Sequence, residues 1–143
     1  MNTKMENTVK TQAGWKPIPL PLKILSLVFI LWLVGALMNL PNLMENGLPI
    51  LGNFVHGTSA LLIVLFLDVV GPIVFLLALW NRKSWTAKWA FFYIGLFIFN
   101  NTVAFFTVRA EMGLAQILIP SIAALVFLFI IFWKRRYFQQ TLG

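Results

Sequence analysis

Polar residues prevail as far as Lys16; beyond it, four long apolar runs alternate with short polar connections. The runs cover residues 22–40, 54–80, 85–108 and 113–133. A membrane helix needs about 20 mainly apolar residues to cross roughly 30 Å of hydrocarbon. The pattern therefore predicts an all-α integral membrane protein, a bundle of four transmembrane helices. Residues 1–21 form an N-terminal tail and 134–143 a basic C-terminal tail. The connections are too short to hold a soluble catalytic domain.

Turn chemistry sets the expected boundaries. In Lys16-Pro17-Ile18-Pro19-Leu20-Pro21 the alternating prolines hold the chain extended and keep a helix from starting before Leu22. The stretch from Pro41 to Pro49 is rich in Asn, Gly and Pro, which predicts an irregular outer loop. The first apolar run is longer than the core of a cleaved signal, and Met38-Asn39-Leu40-Pro41 lacks the small residues of a cleavage site. It is expected to be a permanent anchor.

Composition supports the same solvent and removes several chemistries. The 143 residues are 60% hydrophobic and 10% charged, where a soluble domain carries about a quarter charged residues. With no cysteine, thiol catalysis, disulfides and thiolate metal sites are excluded. A single histidine, His56, excludes a site that needs two imidazoles. The pattern assigns no catalytic residue, cofactor or metal.

Eleven Lys and Arg against four Asp and Glu give a net charge of +7. Lys4, Lys10, Lys16 and Lys23 precede the first run, Arg82, Lys83 and Lys88 follow the second, and Lys134, Arg135 and Arg136 follow the fourth. The other connections hold only Glu45, and Arg109 opposed by Glu111. The positive-inside rule then places both termini in the cytoplasm. Short loops with this simple bias suit a prokaryotic plasma (inner) membrane. The basic clusters each border a span, which suits anionic lipid headgroups rather than nucleic acid. Trp80, Trp85, Trp89 and Trp133, with Arg135 and Arg136, are the expected interface anchors.

Asp68 stands near the centre of the second span. An ionised Asp there costs about 2.5–3.5 kcal/mol, so it must face the bundle interior, carry a proton, or both. Pro72, having no N–H, frees a carbonyl four residues earlier, that of Asp68. In the third span Thr86, Tyr93, Asn100 and Thr107 recur every seven residues, beside an aromatic stripe of Trp85, Phe92, Phe99 and Phe106. Asp68 is expected to meet Asn100 or Asn101 across this helix contact. In the fourth span Gly113, Gln116, Pro120 and Ala124 share a face expected to point inward. His56 lies about 18 Å from Asp68 along one helix, too far for a dyad.

Three functional classes fit these residues. The first is a structural or accessory membrane subunit fastened around Asp68, assembled as a homo-oligomer or with a partner membrane subunit. The second is an oligomeric small transporter using Asp68 as a protonatable coupling residue. Small multidrug transporters are comparable in size and span number, but their essential acid lies in the first helix, where this chain has none. The third is an intramembrane enzyme or quinone-associated protein. Asp68-Val69-Val70-Gly71 and the basic, tryptophan-containing turn after it are similar to the second helix of DoxX-type membrane proteins. No residue role is carried over from that likeness.

Overall fold

A computed structural model describes residues 14–108 and 110–139. Lys4, Glu6, Lys10 and Arg109, and with Arg109 the pairing expected with Glu111, lie outside the described residues. The elements run α1 (Leu20–Asn46), β1 (Leu48–Ile50), β2 (Asn53–Val55), α2 (Gly57–Trp80), α3 (Thr86–Thr107), α4 (Leu114–Trp133) and the short α5 (Arg135–Gln139). Helices α1 to α4 have 27, 24, 22 and 20 residues and are apolar enough to cross a membrane.

Helix α1 begins two residues before Leu22. Pro21 sits in its first turn, where a missing N–H removes no intrahelical bond. The helix also continues through Pro41 to Asn46, where the turn residues pointed to a loop. One proline near a helix end costs a single backbone bond. The exposed side offsets it with an amide ladder: Asn42 Nδ2 donates to Asn39 Oδ1 at 3.2 Å, and Asn46 Nδ2 to Asn42 Oδ1 at 2.6 Å. Gly47, with φ +91°, then ends the helix.

The rest of the expected loop is an antiparallel hairpin pairing Leu48 with Val55, Pro49 with Phe54 and Ile50 with Asn53. Its two-residue turn, Leu51 and Gly52, has positive φ at both positions, the backbone choice that matches strand twist in tight hairpins. Gly52 is held against α3, and a Cβ there would fall 2.9 Å from Thr107 Oγ1.

The bundle has a basic end and a hairpin end. Toward the basic end the four helices close on a packed core of Leu22, Leu25 and Phe29 from α1, Phe75 and Leu79 from α2, Ala90 and Ile94 from α3, and Ile131 from α4. Phe138 of α5 joins it from below. A smaller cluster of Ala104, Val108 and Ile117 ties α3 to α4 at the hairpin end. Between these clusters the interior is open.

The outer surface is apolar all round. Phe92 and Phe106 stand on the outside of α3 with 62 and 77% of their surface free, and Phe99, 58% free, stands at the edge of the open interior. The heptad partners Thr86, Tyr93 and Asn100 turn inward. Thr86 is fully buried; the last member, Thr107, is exposed beside the hairpin turn. A belt of this size suits a solvent of lipid tails rather than water.

Candidate functional site

The open interior is a cavity of about 640 Å³ between the four helices, covered by the hairpin. Helix α1 lines it with Trp32, Gly35, Ala36, Asn39 and Leu43, residues of one helical face. Leu67 and Asp68 line it from α2, and Tyr93, Phe97, Asn100 and Asn101 from α3. Gln116 and Pro120 of α4 face it, and Leu48 to Leu51 close it from the hairpin. Five of the six polar-site residues singled out in the sequence therefore meet at one cavity. Pro72 is the exception; it is buried beside the cavity without lining it.

The bonding differs from the expected Asp68–Asn100 contact. Trp32 Nε1 donates to Asp68 Oδ1 at 3.1 Å, joining α1 to α2. The Trp32 indole is held edge-on against Phe97, with ring centroids 5.3 Å apart and planes at 81°. Asn100 instead clasps the hairpin. Its Oδ1 accepts from the Leu51 N–H at 2.8 Å, and its Nδ2 donates to the Pro49 carbonyl at 3.1 Å. Asn101 Nδ2 donates to Ser121 Oγ at 3.2 Å and so joins α3 to α4. Adjacent positions on α3 thus serve the lid and a neighbouring helix, and neither reaches the carboxyl.

The Pro72 device also shifts by one residue. Residues Leu65–Val70 form a π-helical segment, and the Gly71 N–H reaches back five residues to the Phe66 carbonyl. In that register the acceptor missed by Pro72 is Leu67, not Asp68. The Tyr93 hydroxyl donates to the Leu67 carbonyl at 2.7 Å, and Trp89 Nε1 donates to the Gly71 carbonyl at 3.3 Å. Tyr93 thus satisfies the carbonyl freed in the wide turn, as an apolar medium demands, and Trp89 adds a bond to the start of the following α-helical turn. Trp89 is accordingly a bridge between helices. Trp80, Trp85 and Trp133 remain exposed at the basic end, where Lys134 Nζ lies 4.2 Å from the Trp133 ring centroid and the Arg135 guanidinium 4.7 Å from that of Phe132.

Gly71 allows this close approach. An added Cβ would run into the Tyr93 ring, 2.9 Å from Cδ2 and closer still to Cε2. Below Asp68, toward the basic end, Phe29 packs on Phe75, Phe127 and Tyr93, with centroids at 5.0, 5.4 and 6.4 Å. These rings form a floor under the carboxyl. His56 caps the start of α2 at the hairpin end and does not line the cavity. Among the described residues no three His, Cys, Asp or Glu side chains converge as a metal site would require.

The Asn100 clasp has a measurable consequence. Asn100→Ala removes two hydrogen bonds to the hairpin, each worth about 0.5–1.5 kcal/mol. The Leu51 amide is expected to exchange its hydrogen roughly 2- to 10-fold faster per bond lost, while amides in the packed half of α2 stay protected. An unchanged rate at Leu51 would mean that the strand ladder alone holds the hairpin.

The Trp32–Asp68 bond and the hairpin are the site components that sequence reasoning missed; Trp32 itself was expected only to pack in the bundle. The position of Trp32 near the centre of an apolar span, away from any interface, was the available signal for the first; the positive-φ demand at Leu51-Gly52 left none for the second. No family model, curated protein or solved structure matches this chain.

Proposed function

We propose that this chain is a four-span integral membrane protein that binds a small amphipathic molecule in the hairpin-covered half of its bundle, with Asp68 as the polar anchor. The observation that carries this reading is the cavity itself. Its volume of about 640 Å³ falls in the range of ligand pockets, and its mainly apolar walls with a few convergent polar groups are the usual composition of such sites. A π-helical segment beside the carboxyl fits the same reading, since such wide turns concentrate at functional sites.

The basic end carries Lys16, Lys23, Arg82, Lys83, Lys88 and Lys134 to Arg136, which supports a cytoplasmic position for it. The cavity then opens in the outer half of a plasma membrane. The aromatic floor around Phe29 supports binding over passage, because among the described residues rings and aliphatic side chains fill the core between Asp68 and the basic end.

Native mass spectrometry of the protein, extracted in mild detergent from its own membrane, tests the proposal. The expected spectrum has a stoichiometric small-molecule adduct that leaves on collisional activation. A chain that is bare in every charge state would sink the binding reading. The Trp32–Asp68 bond favours a second reading, in which the carboxyl chiefly fastens α1 to α2 in an accessory subunit. A bare chain inside a heteromeric complex would support that one.

A further inference from the structure

We propose that the cavity is selective for a monocationic amphiphile, a protonated amine on an apolar body, with the ammonium at Asp68. This rests on the binding reading above and names the ligand class. Charge and hydrogen-bonding capacity at the cavity wall point to this class. Asp68 is the only acid that lines it, and no Lys, Arg or His lines it among the described residues. A carboxylate offers about four acceptor positions, and Trp32 occupies one.

The Tyr93 hydroxyl is given to the Leu67 carbonyl, one Asn100 amide N–H to Pro49 and one Asn101 amide N–H to Ser121. Among the described residues the cavity wall therefore holds one acidic group, with acceptor positions to spare, and no cation to balance it. An anion would meet an uncompensated like charge there, and a neutral ligand would leave the carboxylate without a counter-charge. An ammonium supplies that counter-charge together with donors for the remaining acceptor positions. The rings of Trp32, Tyr93 and Phe97 border the same level, where a desolvated cation gains further from aromatic faces.

The test uses the full chain in nanodiscs of neutral phosphatidylcholine, so that the lipid itself does not attract the cation. Two probes share one body: 4-(1-pyrenyl)butylamine and 4-(1-pyrenyl)butanol. Saturable energy transfer from tryptophan to pyrene, corrected against empty discs, reads binding. The amine is expected to saturate, the alcohol to bind at least ~10-fold more weakly, a difference of about 1.4 kcal/mol. Asp68→Asn, which keeps the shape and removes the charge, is expected to bring the amine down to the alcohol. Asp68→Glu retains the charge and must retain the preference, so a folding defect in one variant does not decide the outcome.

Equal binding of both probes in the unaltered protein and in Asp68→Asn overturns the cationic class and leaves the cavity reading standing. Absence of saturation with either probe also overturns the class. The cavity reading is then judged on the native mass spectrum, which depends on no chosen probe.

Discussion

Gly71→Val is expected to produce the largest loss of stability of any single substitution around the site. The glycine is buried where α2 meets α3, and any Cβ there enters the Tyr93 ring. Overfilling a packed contact costs about 1–3 kcal/mol and occasionally more. The damage does not stop at the ring. To make room, Tyr93 must leave the Leu67 carbonyl, which Pro72 cannot serve in the π-helical register. An unpaired carbonyl adds about 1–3 kcal/mol. Tyr93→Phe separates the two effects, since it keeps the ring and removes only the hydroxyl. Thermal unfolding in detergent, followed by tryptophan emission, should place Gly71→Val well below Tyr93→Phe, and Tyr93→Phe below the unaltered chain. If Gly71→Val melts with the unaltered chain, the close approach of the two helices is wrong.

The second large effect is on binding and should leave the fold intact. Gly35 lies on the cavity face of α1, and a Cβ added there meets no atom within 4 Å. Gly35→Phe therefore places a ring in open space on the cavity side of α1. It also replaces a weak helix former, which favours the helix by a few tenths of a kcal/mol. The expected outcome is an unchanged or slightly higher melting temperature with saturable probe binding reduced ~10-fold or more, about 1.4 kcal/mol. The stoichiometric adduct should vanish from the native mass spectrum as well. Full binding by a well-folded Gly35→Phe protein would move the site out of this cavity. Paired with Gly71→Val, the experiment distinguishes a residue that holds the bundle together from one that borders empty space.

Both predictions turn on glycines that look alike in the sequence. Each sits within an apolar run beside small or branched neighbours. One is pressed against a tyrosine from another helix and the other faces a void. That difference is a property of the helix contact, not of the local string of residues.

The four helices and their polar punctuation were legible because they follow from short-range rules. A run of about 20 apolar residues becomes a membrane-length helix through its own backbone bonds, and a seven-residue spacing puts side chains on one face whatever lies opposite. The inward Tyr93 and Asn100 and the outward Phe92 and Phe106 are decided in this way. Even the concentration of Asp68, Asn100, Asn101 and Gln116 at one cavity follows from the need to hide polar groups from an apolar surface.

Which of those groups touch depends on how the helices pack against one another. The Trp32 donor comes from 36 residues away, on a helix whose rotation about its own axis no local pattern specifies. A π-helical turn moved the orphan carbonyl from Asp68 to Leu67, because within the wide turn each N–H reaches back five residues rather than four. The stretch after Pro41 became helix and hairpin, since a side-chain amide ladder supports the end of α1 and the Asn100 amide on α3 bonds the hairpin backbone at Leu51 and Pro49. Helix length and facing are written within each segment by backbone geometry and solvent; register, pairing and the cavity arise only when segments pack, because small axial or rotational shifts exchange one set of contacts for another.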